Sequence, residues 1–139
     1  MKTYVRFAPL LLLLTLQGIA IAKTTAADLK VPCSAWIANF QVPIPQQTPF
    51  QSYQAGKCAG YLGGWQMGVE GTLVSDDKGL LQTVTFEDGV TPIQMAKVFS
   101  LYLDNHPEEE NKPAQVALMH AMLGSGLVTL VSPGKDNGK

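Results

Sequence analysis

Apolar positions recur along this chain in three rhythms, and each predicts a different element. The first is unbroken: Phe7 to Ile21 is apolar almost throughout, with Leu10 to Leu14 uninterrupted. The second has a helical period. Met95, Val98, Phe99, Tyr102 and Leu103 fall on one stripe, with Lys97, Ser100 and Asp104 opposite. Thr91-Pro92-Ile93-Gln94 ahead of that stripe is a helix start, with a capping threonine, proline at the first position and glutamine at the third. Pro107 stops the helix. The third rhythm is carried by glycine. At roughly 100° per residue, Gly60, Gly64, Gly68 and Gly71 form a narrow strip, flanked by Cys58, Tyr61, Leu62, Trp65 and Val69. This predicts a helix from about Gln51 to Val74. Each interior glycine costs about 0.5–1 kcal/mol relative to alanine. The expected offset is close approach of another helix along Gly60, Gly64 and Gly68, with burial of Trp65 and Tyr61. On this reading the segment is the central packing helix.

The remaining segments are less regular. Lys23 to Val31 reads as polar and frayed, and a short helix starts at Pro32-Cys33-Ser34 with Ser34 as its cap. Pro43, Pro45 and Pro49 break regular structure up to Phe50. Asp76 to Gly79 is a turn. Leu80 to Phe86 fits a strand or an ordered loop, and Leu127 to Val131 a strand or a helical tail; both choices stay open. Pro113 opens a last helix that runs to about Leu123 and ends near Gly124 or Gly126. It carries no formal charge, with Val116, Met119 and Leu123 on one side and Leu118 and Met122 on another, so burial on two sides is expected. The fold class is all-α: a small domain of about four helices with one disulfide. Its segments are 1–22 as leader, 23–50 as short helix and proline-rich loop, 51–131 as helical core, and 132–139 as flexible tail.

Charge and targeting narrow the setting. Lys2 and Arg6 precede the apolar run, and Ala20-Ile21-Ala22 places small residues at a cleavage site. That is a secretory signal peptide cut before Lys23, which predicts a periplasmic protein. The run is shorter than a membrane span, no second run exists, and no membrane attachment is expected after cleavage. The 139-residue chain has net charge −1 and no arginine after Arg6, which argues against nucleic acid. Cys33 and Cys58 are the two cysteines. In an exported chain an even pair most simply forms a disulfide.

No catalytic pattern stands out: no nucleophile-elbow serine, paired-histidine zinc motif or phosphate-binding loop. No metal or other cofactor is expected. Cys58 with His106 or His120 makes a conceivable nucleophile pair, but a disulfide and structural histidines weigh more in an exported chain. His120, on an apolar helix, is expected as a hydrogen-bonded core or interface residue. Glu108-Glu109-Glu110 has two readings. The acids complement the dipole of the helix after Pro113, or they form an acidic knob for a basic partner. Trp65 and Tyr61 could stack on a ligand, with core packing the stronger expectation.

Four elements occur in order: Cys58-Ala59-Gly60-Tyr61-Leu62-Gly63-Gly64, Gly89-Val90-Thr91-Pro92-Ile93-Gln94, Tyr102-Leu103-Asp104-Asn105-His106-Pro107-Glu108-Glu109, and Pro113-Ala114 before an alanine-rich helix. Together they resemble the Tai/Rap family of small exported immunity proteins, over roughly Phe50 to Leu123. The resemblance implies an all-helical periplasmic domain, often a homodimer. Such a domain binds a peptidoglycan amidase effector of a type VI secretion system, blocks its active-site cleft, and is not an enzyme. The partner-binding residues are then expected in the loop of His106, Glu108, Glu109, Glu110 and Asn111. Two departures stand out: the second cysteine pair of many relatives is replaced at Phe86-Glu87 and Val131-Ser132-Pro133, and the segment from Cys33 to Phe50 is rich in proline. The competing classes are a periplasmic acid-stress chaperone of the HdeA type and an envelope structural protein.

Overall fold

The computed structural model describes residues 23–75 and 78–132. The leader 1–22, Asp76 and Asp77 of the expected turn, and the tail from residue 133 lie outside the described residues. Three of the four helices begin on the same device. In α1 (Ala26–Asn39), α2 (Pro49–Val69) and α3 (Pro92–Asn105), a threonine side chain accepts from the backbone three residues on, and that residue's side chain accepts from the threonine N–H. The pairs are Thr25 with Asp28, Thr48 with Gln51, and Thr91 with Gln94. Each box satisfies backbone donors that have no partner within the helix. The last helix, α4 (Ala114–Ser125), has no side-chain cap and ends on Gly126 at φ 77°. That left-handed conformation favours glycine and turns the chain back toward the sheet.

The first helix is longer than its sequence suggests. Lys23 to Val31, expected to fray, contributes most of two turns of α1, and Ala26 and Leu29 are fully buried. The cap is Thr25, not Ser34, and Pro32 sits inside the helix with its ring buried. Proline there removes a backbone donor, which pattern reading takes as a stop. Here α1 runs beside α2, α3 and α4, and that packing holds it through the proline.

The chain is helical but not all-α. The two open segments are strands, β2 (Leu81–Phe86) and β3 (Val128–Val131), and β1 (Leu73–Ser75) precedes them. They form an antiparallel sheet in the order β1-β2-β3, with Leu73 opposite Thr83 and Phe86 opposite Val128. Alternation puts Val84, Phe86 and Val128 on the buried face and leaves Leu73 and Leu81 exposed. The core joins that face to Leu29, Leu62, Met95, Phe99, Leu103, Leu118 and Met122. On α4 the buried side is Ala114, Ala117, Leu118, Ala121 and Met122, while Val116 stays exposed and Met119 and Leu123 are half-buried.

The cysteines meet as expected. Cys33 of α1 and Cys58 of α2 are bonded, both fully buried, with their Cα atoms 5.0 Å apart.

The glycine strip does not do what its spacing predicts. Gly60, Gly64 and Gly68 face outward, and a Cβ built on any of them meets nothing within 4 Å. No other helix among the described residues passes over them. The buried side of α2 is carried by Cys58 and Leu62, and Trp65 packs edge-on against Phe86 of β2, ring centroids 5.8 Å apart. The helix also stops at Val69, not Val74, because the chain turns through Gly71 at φ 73° into β1. Stability lost to the glycines is therefore not recovered by close packing within the chain. Gly64→Ala is accordingly expected to raise the unfolding free energy by about 0.5–1 kcal/mol, read as a higher denaturant midpoint. A lower midpoint would mean that a second molecule covers the strip in solution.

Candidate functional site

The loop between α3 and α4 is braced by backbone hydrogen bonds and ion pairs. Helix α3 ends where Pro107 cannot continue it, and Pro107–Glu109 tighten into a 3-10 turn. The chain then runs through Glu110 to Pro113 before α4. The start of α1 lies directly behind this loop. Ala26 N–H donates to the Lys112 carbonyl and Ala27 N–H to the Glu110 carbonyl, each at 2.9 Å. Ala114 N–H donates to the Thr24 carbonyl, also at 2.9 Å, which supplies the cap that α4 lacks in its own side chains. The two segments thus satisfy each other's helix-end groups.

Ion pairs add to this brace. Lys30 of α1 reaches Glu110 at 2.7 Å and Asp104 at 2.9 Å, tying the loop and the end of α3 to α1. Hydrogen bonding first to Glu110 and then to Asp104 holds the Lys30 ammonium above its ordinary pKa. Glu109 turns inward and is 7% exposed. One of its oxygens accepts from Lys112, and the other lies 3.2 Å from Nδ1 of His120, which donates when that nitrogen carries the proton. The Lys112 hydrogen bond, supported by His120, holds the Glu109 carboxyl below the ordinary carboxylate value against the opposing effect of burial.

This arrangement corrects the expectation of three carboxylates projecting together. Glu109 is committed inward, and Glu110 is half-buried against Lys30. The exposed members of the loop are His106, Glu108 and Asn111, with Pro107 and Lys112. Nδ1 of His106 lies 3.3 Å from Glu108, and the His106 ring stacks on Tyr102 at 4.4 Å between centroids. The macrodipole reading also changes, because Glu109 ends the 3-10 turn and four residues, Glu110 to Pro113, separate it from Ala114. His120 is hydrogen-bonded, but it is exposed at the surface, not in the core.

Sequence reasoning finds the loop and misses its supports. Lys30 and Glu110 are 80 residues apart, and no motif spacing links them. The same holds for a shallow groove of about 350 Å³ beside the loop, lined by Val98, Leu101, Tyr102, Asn105, His106 and Ala121, with Gly124 and Ser125 closing one side. A second shallow groove, of about 510 Å³, follows the open glycine strip between Tyr61, Trp65 and Gln115. Among the described residues, no group of three or more His, Cys, Asp or Glu is placed to hold a metal ion. No described helix is long and apolar enough to cross a membrane.

Comparison with known proteins gives one match. Residues 25–124 fit the family model of the Rap1a immunity proteins. That span runs from the Thr25 cap through the braced loop to near the end of α4. No curated protein and no solved structure matches the chain.

Proposed function

This chain belongs to the Rap1a immunity protein family, and from that premise we propose that it binds a peptidoglycan amidase effector of a type VI secretion system and blocks its active-site cleft. The family match over residues 25–124 is the observation that carries the reading. Family membership implies an effector protein as partner; the amidase as that effector is our inference, supported by the motifs around Tyr102 to Glu109. The contacting surface is the α3–α4 loop, through His106, Glu108 and Asn111. The backbone and ion-pair bracing behind the loop supports this choice. A surface held in one conformation before binding loses little entropy when it docks. Glu108 presents an exposed carboxylate to a basic rim on the partner, which speeds encounter more than it adds affinity. Residues 1–22 export the chain to the periplasm, and the homodimer common in the family belongs to the same proposal.

Protection is the test. A bacterial host that sends the proposed cognate amidase effector into its periplasm is expected to lyse. Co-production of this chain should restore growth, and a chain starting at Lys23 without the leader should not. Continued lysis with folded, oxidised protein present in the periplasm would remove the amidase reading.

A further inference from the structure

Resting on that reading, we propose that the groove between α3 and α4 receives an arginine side chain of the effector, with its guanidinium against Glu108. The groove exists because large residues face small ones. Val98, Leu101 and Tyr102 form the α3 wall, whereas α4 offers Ala121, Gly124 and Ser125. A Cβ built on Gly124 meets nothing within 4 Å, and Leu101 is left 64% exposed on the rim. The walls are aliphatic and aromatic carbon along most of the length. Polar groups gather where α3 ends, at Asn105 and His106. The Asn105 amide is occupied, since it donates to the Leu101 carbonyl at 2.8 Å. His106 carries Glu108 on Nδ1.

An apolar slot whose polar end is His106, with the Glu108 carboxylate 3.3 Å from Nδ1 of that ring, fits a side chain with a long carbon stem and a cationic head. Lysine and arginine lay such stems along apolar surface while the head stays at a polar edge. Arginine fits better at this end, because its planar group pairs with a carboxylate through two parallel hydrogen bonds and stacks on an aromatic face such as Tyr102. The charge balance points the same way. Lys30 is engaged by Asp104 and Glu110, and Lys112 by Glu109. Among the described residues, the ion-pair partner of Glu108 is the His106 imidazole, which is a full cation only when protonated. The groove is continuous with the loop through His106, so one docking event covers both.

The experiment measures binding of the oxidised protein to the proposed cognate amidase effector, inactivated by substitution of its nucleophile, by surface plasmon resonance at two salt concentrations. Gly124→Leu fills the groove from an open helical position, and Leu101→Lys puts on its exposed rim a charge that repels a guanidinium. Each is expected to weaken binding by at least about tenfold, mainly through faster dissociation. Glu108→Lys should weaken it by a similar factor and abolish the salt dependence. Met67→Glu, exposed on α2, should change nothing. If Gly124→Leu and Leu101→Lys bind within about twofold of wild type while Glu108→Lys does not, the loop docks with the groove empty. That result overturns the proposal and leaves the loop reading standing. If Gly124→Leu fails to fold, Leu101→Lys decides alone. Failure of the wild type to bind overturns both.

Discussion

Replacing Cys33 and Cys58 with alanine together is expected to lower stability by about 3 kcal/mol, read as a fall in the denaturant midpoint with a steeper slope, since the unfolded chain without the cross-link is less compact. The bond closes a loop across a sequence separation of 25 residues, and both cysteines are fully buried between α1 and α2. The loop it closes includes the end of α1 and the start of α2, joined through Pro43, Pro45 and a 3-10 turn over Ile44–Gln46. Those elements are lost on unfolding, whereas the cross-link persists and restrains the unfolded chain. Its position matters for function as well, because α1 carries the residues that brace the α3–α4 loop. Reduction of the wild type should reproduce the loss. A change below about 1 kcal/mol in both experiments would contradict this account, since it would mean that packing alone fixes α1 against α2.

The second large effect is expected at Glu109. Glu109→Ala removes one carboxylate that holds Lys112 and His120 together, and should lower stability by about 1–2 kcal/mol at neutral pH. The partners are half-exposed and regain water, which keeps the loss below that of a deeply buried pair. The pH dependence gives the sharper readout. Because the folded protein holds this carboxyl below its ordinary value of 4.5, its stabilising contribution is complete above that value. As pH falls through the folded pKa the contribution disappears, since the carboxyl is then protonated in both states. The stability gap between wild type and variant should therefore be full at neutral pH and shrink under acid, in urea melts from about pH 7 to pH 3. A gap of constant size over that range would show that the side chain acts by packing and not by charge.

What could be read from the sequence depended on how local its cause was. The start of α3 was legible because Thr91, Pro92 and Gln94 form the whole capping signal within four residues. The disulfide was legible because export and an even cysteine count leave one simple pairing. The strands were not, because β2 becomes a strand by pairing with β1 on one side and with β3, more than 40 residues later, on the other. The glycine strip misled for a related reason. Spacing puts Gly60, Gly64 and Gly68 on one face, but only the packing of α1, α3 and the sheet shows that this face of α2 is the uncovered one. At the loop, the run of three glutamates was visible as a charged connector. Its division into one carboxylate facing inward, one facing Lys30 and one facing outward depends on Lys30 and His120, which lie far away in sequence.

If this fold holds one loop against an effector's active site, as we propose, inhibition tests it most directly. The measurement is turnover of a peptidoglycan fragment by the proposed cognate amidase, titrated with the oxidised protein. The account predicts loss of activity that is complete near one protein chain per enzyme molecule, and weaker inhibition by His106→Ala and Glu108→Gln proteins that melt like the wild type. Full turnover at a large excess of folded, oxidised protein would contradict it.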